Sequence, residues 1–536
     1  MKKTSQISDL LNQTCRKYLL FFTAIFYFLF QYSYAQLKEY SRFEQKIPRK
    51  SDYTFELLPL PQEKKLIVFG EKENWDEETR RRLYYFKVLD SSLTQIREKE
   101  YKIERKWQYE GYHTDSTNLY LLFYTDNHRQ FALLSYSFTG DLDFKQGEIP
   151  FTFSPSSFVV FGNNLFLIGT NKGKDVIIDF SFFDNTLKVV PTYFDDKFDI
   201  KNIAINRTEN VAHVLIRETK RGPKNFFIRQ LLSNGKQIGE TKLTFAKDKY
   251  PTDLEMLSIN NENYLIGLYG NGQSHFYSQG WIWGKYKADE KPYLKQESFD
   301  YLKHFFEYMP TEKRKERENE KVKEKLQKGK HYNYKLRLRL HKPIFWDNKI
   351  IAVAESYNAS YQYNNSILNP YPMMTTNPIL LPSVYDRWCN YRYPYNTAPP
   401  TYQFVHCIVM AFDLQGNLLW DNAMKIKDIT KTTLHENVTL SLQKQYSILL
   451  QPHDKGINLK VFKEREVIYA NEEVPYQLTY EIEPDKEKKI RPTNNEIFAW
   501  YDDNILIAGI YNPKADKIFS REEDVFYIAK VKFQKP

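Results

Sequence analysis

The chain has 536 residues, 42% of them hydrophobic and 16% aromatic, so it can bury a large core and is not a disordered segment. Its formal charge of +10 is spread among interspersed acids and bases rather than gathered into a stripe, which argues against nucleic-acid binding. Three cysteines are too few for a disulfide scaffold.

The first 35 residues read as a signal peptide. Lys2, Lys3, Arg16 and Lys17 precede an apolar run from Tyr18 to Phe30, and Ser33 and Ala35 supply the small residues of a cleavage site before Gln36. The run is shorter than the roughly 20 residues a membrane helix needs. Cys15 lies ahead of the run, on the wrong side for a lipid anchor. The expected product is an exported domain from 36 to 536, periplasmic, surface-bound or secreted, with no membrane-spanning segment and a charge of about +7 once the four basic residues and Asp9 leave.

From there a short apolar strand recurs, beginning at Leu66, Leu119, Leu165, Val211, Tyr264, Ile350, Tyr446 and Ile505. Each is followed by a polar loop and an aromatic-rich second strand such as Leu83 to Val88 or Phe131 to Phe138. Where nothing intervenes the spacing is about 45 to 55 residues, the size of a four-stranded blade. This predicts an all-β chain folded as a β-propeller of about seven or eight blades; two stacked β-domains split at a charged helix are the alternative. A propeller closes by pairing the two ends of its chain, and the segment from Tyr53 to Leu58 is the expected partner of Val525 to Phe533. Gly140, Gly235 and Gly416 fall where tight turns need positive φ. The run from Ala411 through Gly416 and Trp420 resembles a blade of quinoprotein-like propellers, which implies a turn shaped by Asp413 and Gly416 and a Trp packed between blades, without the quinone.

Two insertions break the period. Residues from about 301 to 330 include a charged helix, with Arg314/Glu318 and Glu324/Lys328 four apart, Val322 and Leu326 as its apolar stripe and Gly329 as its stop. Residues from about 357 to 402 form a loop rich in Tyr, Asn and Pro, a composition suited to adaptable recognition. Tyr385, Arg387, Trp388, Tyr391, Tyr393 and Tyr395 are its candidate binding residues, for an envelope protein or a glycan. The alternative is a tyrosine plug over one mouth of the propeller. Cys389 in this loop and Cys407 in the strand after it are either a disulfide or two buried thiols.

The order of charged helix, Asn333 to His341, Ile350 to Tyr357, the Tyr/Asn/Pro loop, Phe404 to Asp413 and Phe526 to Val531 resembles uncharacterised exported bacterial proteins of Bacteroidetes type. That resemblance covers mainly the second half. It implies export and a β-architecture and carries over no catalytic residue.

The chain holds no Cys-x-x-Cys, His-Glu-x-x-His, Gly-x-Ser-x-Gly or phosphate loop, so no cofactor, metal or catalytic residue is assigned. Asp141 and Asp143 are two carboxylates where calcium takes 6 to 8 oxygens, so they read as turn residues. The histidines are scattered; His213 and His406, within apolar strands, read as satisfied structural side chains. The expectation is a non-enzymatic exported binding or scaffold protein, with a propeller hydrolase or lyase acting on carbohydrate or peptide as the alternative.

Overall fold

The computed structural model describes residues 36–47, 53–76, 81–190, 198–218, 225–259, 261–272, 277–360, 401–453, 456–474, 476, 478–483, 486–490, 493–511 and 524–534. These build eight antiparallel sheets that form an eight-bladed β-propeller with a single α-helix. Blades one to seven span residues 56–104, 108–148, 154–189, 198–243, 249–298, 337–425 and 439–474. Blade eight takes three strands from the end of the chain (Thr493–Ala499, Ile505–Tyr511, Asp524–Gln534) and its outermost strand from the beginning, Gln36–Ile47.

The recurring apolar strands are the second strand of each blade, and their continuous hydrophobicity has a simple cause. A blade is covered on both faces by its neighbours, so alternate residues enter opposite seams. In blade one Leu66 and Val68 enter the seam with blade eight, while Ile67 and Phe69 enter the seam with blade two. The buried side chains sort into eight clusters, one for each seam.

Ring closure rules out two stacked domains, but the closing strand is not the expected one. Gln36–Ile47 pairs along Asp524–Gln534, from Gln36 opposite Gln534 to Ile47 opposite Asp524. The segment from Tyr53 to Leu58 instead leads into the innermost strand of blade one, Glu56–Leu60. It meets blade eight through side chains, Phe55 stacking on Phe526.

Consecutive strands run in opposite directions, so the two faces of the disc differ. The links between strands one and two, and between three and four, lie on one face, here the turn face. The links between strands two and three, and from each blade to the next, lie on the other, the connection face. The turn-face links are short, for example Phe161 to Asn164 and Ile259 to Glu262. The connection face carries the long ones: Tyr511 to Asp524 in blade eight, Ser360 to Thr401 in blade six, and the helical insertion between blades five and six. A two-stranded hairpin (Leu478–Glu483, Lys486–Ile490) also leaves on that face between blades seven and eight.

The helix, α1, runs Glu312–Gln327 with Thr311 as its N-cap and Gly329 at positive φ beyond its end. Val322 is buried and Leu326 packs beside it, which docks the helix on the seam of blades five and six. Among its ion pairs are Lys315–Glu312 and Lys321–Glu318, spaced three apart, because Glu318 turns toward Lys321 and the Tyr332 hydroxyl instead of Arg314.

Candidate functional site

The helical insertion and the Tyr/Asn/Pro segment arise at one corner of the connection face. Ser360 and Thr401, from which that segment departs, face each other in the ladder of blade six. One turn deeper, Ser356 and His406 also face each other, with Ser356 Oγ 2.6 Å from His406 Nδ1 and accepting the His406 amide at 3.2 Å. Both are fully buried, and burial lowers the His406 imidazole to about 3, so it is neutral at physiological pH. The insertion roofs this pair: Tyr308 stacks on His406 at 4.3 Å and Phe305 meets its edge at 5.4 Å.

Polar bonds fix the roof. The Gln279 side chain donates to the Tyr334 carbonyl at 2.6 Å and accepts the Tyr334 amide at 3.0 Å. Buried Asp300 accepts from the Tyr334 hydroxyl at 3.1 Å and sits 2.8 Å from His331 Nδ1. Asp421, fully buried on blade six, accepts the His304 amide at 2.7 Å. Tyr357 and Tyr402, the bounds of the predicted loop, meet edge to face at 5.6 Å. They belong to the strands Lys349–Ser360 and Thr401–Phe412, so regular strand extends into both ends of the predicted loop. Tyr385, Arg387, Trp388, Cys389, Tyr391, Tyr393 and Tyr395 lie outside the described residues, as do residues 1–35. Cys407 is fully buried, its thiol raised by burial and then by the Glu355 charge.

A second concentration of chemistry lines the inner strands of blades four to seven. The inner strands of blades two to five each carry a β-bulge, at Glu110, Ser156, Lys201 and Thr252, which re-aims the residues that follow. Asn202 and Asp253 are therefore equivalent positions in neighbouring blades. Asn202 donates to Glu255 at 2.7 Å, and Asp253 accepts the Leu340 amide of blade six at 2.8 Å. Burial and then the Asp253 charge push the Glu255 carboxyl up to about 8.

Glu355 behaves in the opposite way. Its burial alone would raise it, but His341 Nε2 at 3.0 Å, the Asn437 amide and side chain and the Val438 amide, each at 2.8 Å, outweigh that and hold it below the usual carboxylate range. His341, whose Nδ1 is 3.8 Å from Glu436, is correspondingly raised: burial opposes the shift, but Glu436 and Glu355 exceed it. His341, Glu355, Asp253 and Glu255 were not singled out in the sequence because Asp253 and Glu255 lie in blade five and His341 and Glu355 in blade six, and no spacing along the chain joins the two pairs. The one local sign is alternation, Asp253-Leu-Glu255-Met and Arg337-Leu-Arg339-Leu, in which charged residues take the positions opposite buried Leu254, Met256, Leu338 and Leu340.

Other expectations resolve plainly. Among the described residues no group of three or more His, Cys, Asp or Glu could hold a metal ion. Asp141 is exposed beside the turn, and Asp143 is exposed on the strand Leu142–Glu148, so the second is a strand residue and not the turn residue expected. His213 is fully buried with neither ring nitrogen hydrogen-bonded and packs edge-on to Tyr286 at 5.4 Å, and His406 is bonded at Nδ1 while its buried Nε2 has no partner among the described residues, so neither ring is the fully satisfied side chain expected. Trp420 packs between blades, meeting Phe462 at 5.8 Å. A shallow depression of about 210 Å³ on the turn face is lined by Asn206, Arg207, Thr208 and Ser258. No helix among the described residues is long and apolar enough to cross a membrane.

No family model and no curated protein matches the chain. Solved structures match at fold level. They include a functionally unknown protein from Desulfotomaculum acetoxidans (TM-score 0.35, 9% identity, covering 78% of this chain and 95% of that one). A prolyl endopeptidase matches with TM-score 0.37 and 7% identity over 86% of this chain and 55% of its own. An apocarotenoid oxygenase from Synechocystis matches with TM-score 0.27 and 9% identity, 44% of this chain being covered and 61% of the oxygenase. What they share is the propeller. At these scores nothing of their chemistry transfers.

Proposed function

We propose that the protein is an exported binding or scaffold protein that meets an envelope protein or a glycan on the connection face of its propeller, over blade six. One observation carries this reading: the 299–336 insertion and the segment between Ser360 and Thr401 are rooted on one anchored corner, around the Ser356–His406 pair. A rigid scaffold that concentrates its longest connections at one place is the usual arrangement of a recognition surface. The composition of the segment, Tyr and Asn with interrupting Pro, supports contact with a partner over regular structure.

A propeller hydrolase is the second reading, favoured by the opposite displacement of Glu255 and Glu355. Glu355 is, however, occupied by four hydrogen bonds, two of them from backbone amides of the next blade, which suits a structural tie better than a base.

The test is a pull-down from solubilised envelope and a glycan array with the chain from Gln36, beside a variant with Tyr385, Trp388, Tyr391, Tyr393 and Tyr395 changed to Ala. A specific partner lost by the variant at unchanged melting temperature supports recognition by the segment. Identical binding by both proteins counts against it.

A further inference from the structure

The turn-face depression lies between the inner turns of blades four and five, and a buried pair of asparagines fixes its shape. Asn206 accepts the Thr208 and Glu209 amides on its side-chain oxygen, both at 3.1 Å, which closes the first turn. Its Nδ2 donates across the seam to Asn263 Oδ1 at 3.0 Å, and Ser258 Oγ donates to the same oxygen at 2.7 Å, so the two turns are held as one unit. Asn206 and Asn263 are each 2% exposed. Glu209 is drawn onto that pair, accepting from Asn206 at 2.9 Å and from Asn263 at 3.3 Å, and does not line the depression.

The groups that do line it are of another kind. Arg207 and Thr208 come from one turn and Asn261 from the other, all three exposed, with Ile205 and Ile259 as the apolar part. Arg207 uses one of its five N–H donors, on the Thr114 carbonyl of blade two at 3.3 Å, and makes no ion pair among the described residues. Asp115, next to Thr114, is occupied by Thr117, Asn118 and Tyr120. The lining thus joins an unpaired cation to hydroxyl and amide groups and contains no carboxylate. Its volume of about 210 Å³ lies below the roughly 300 to 1,000 Å³ of sites that take drug-sized molecules, so the ligand is small.

We propose that this depression binds a small hydroxylated carboxylate, a uronic acid unit, with its carboxylate on Arg207 and its hydroxyls toward Thr208, Ser258 and Asn261. The planar guanidinium pairs a carboxylate through two parallel hydrogen bonds. Thr208 and Asn261 both donate and accept, and Ser258, its hydrogen committed to Asn263, accepts, which together match sugar hydroxyls. The two isoleucines suit a carbon skeleton, which sets such an acid apart from inorganic phosphate. The site goes beyond the connection-face reading and stands without it, since it lies on the opposite face of the disc.

The experiment is calorimetric titration of the purified protein with glucuronate, beside glucose, acetate and inorganic phosphate, which supply the hydroxyls, the carboxylate and the charge separately. A dissociation constant on the order of 1 mM is expected, with each control at least roughly 10-fold weaker. Binding should weaken as sodium chloride rises from roughly 0.01 to 0.15 M, over which the Debye length falls from about 30 to about 8 Å. Arg207→Gln should abolish binding and Thr208→Val should weaken it, both at unchanged melting temperature because both side chains are exposed. Arg465→Gln, at an exposed turn of blade seven on the same face, should bind as the parent does. Methyl glucuronide distinguishes two sources of the unit: its binding would place the unit at the end of a glycan, and binding of glucuronate alone would make the ligand a free acid. The proposal is overturned if glucuronate does not bind up to about 10 mM, or if glucose or phosphate binds as tightly. It is equally overturned if Arg207→Gln or Thr208→Val leaves the affinity unchanged, or if Arg465→Gln loses as much as Arg207→Gln.

Discussion

Phe55 and Phe526 stack face to face with ring centroids 3.8 Å apart, joining the first blade to the last. Both rings are buried in a seam that also holds Leu66, Val68, Leu506 and Ile528. The ring is thus closed twice, by this packing and by the ladder between Gln36–Ile47 and Asp524–Gln534. Phe526→Ala should cost about 3 to 5 kcal/mol, as truncation of a buried Phe does, with unfolding still in one transition. Deleting 36–47 strips the outer strand from blade eight and should broaden or split that transition. Urea unfolding followed by fluorescence and circular dichroism distinguishes the two; a deletion variant that unfolds as sharply as the parent would show that the ladder is dispensable.

Gly416 and Gly173 both sit at positive φ, +82° and +79°, but in different surroundings. A Cβ on Gly416 would lie 2.5 Å from the Trp283 ring, whereas one on Gly173 meets nothing within 4 Å. Gly173→Ala should therefore cost only the backbone strain, about 1 kcal/mol, and Gly416→Ala that amount plus displacement of a buried indole. Midpoints of urea denaturation should fall in that order. Equal losses would mean that the Trp283 ring yields freely.

Acid should unfold the protein through its neutral buried histidines. His406 and His213, both fully buried, are lowered by burial to about 3 and about 4, and His435 likewise to about 4. Unfolded, these rings take up protons below about 6.5, so the native state loses stability as pH falls from there toward the native values. His341 acts in the opposite sense: raised in the fold, it adds stability that is complete below its unfolded value and fades as pH rises through its native one. The melting temperature should hence fall steeply between pH 6.5 and 4 and more gently on the alkaline side. His406→Asn should flatten the acid limb, and His341→Gln the alkaline one. An acid limb unchanged in the first variant would exclude His406 as a contributor.

Glu355 ties blade six to blade seven through Asn437 and Val438. Removing one partner of a buried ion pair commonly costs 3 to 5 kcal/mol, and Glu355→Ala should fall in that range because it strands His341 and two backbone amides at once. Glu355→Gln keeps an acceptor and should cost less. Chemical denaturation of the two variants reads the difference, and a Gln variant as unstable as Ala would assign the tie to charge instead of hydrogen bonding.

How much of this was legible in the sequence follows from how each strand is buried. The second strands stand out because both their faces are covered, and all eight mark a blade. The closing strand is inconspicuous for the opposite reason: Gln-Leu-Lys-Glu-Tyr-Ser-Arg-Phe-Glu-Gln-Lys-Ile is an edge strand whose apolar residues, Leu37, Tyr40, Phe43 and Ile47, fall three to four apart and show no strand period. Tyr53 to Leu58 is the more apolar segment and competes for the assignment. The helix was readable from its charges and its stop at Gly329, and its docking from Val322 and Leu326. The polar cluster was not, since Asn202, Glu255 and Arg339 belong to three successive blades and Glu355 faces Arg339 only in the ladder of blade six; no spacing along the chain records that.

Ser360 and Thr401 stand opposite each other at the end of their ladder, with Asn358 opposite Gln403 and Ala359 opposite Tyr402 behind them. The hairpin is therefore already formed when the chain leaves for residues 361–400, and a two-residue Asn-Gly turn can close it in place of that segment. The Ser356–His406 pair and the Tyr308 stack beneath keep all their partners in such a variant. The shortened protein should then melt within a few degrees of the parent, a change worth roughly 1 kcal/mol or less in a chain of this size, while losing whatever partner the full chain captures from the envelope or the glycan array. A shortened protein that fails to fold would instead assign the segment to the core of the disc, as a plug of packed tyrosines. One that folds and still binds would move recognition to the helical insertion or the hairpin on the same face.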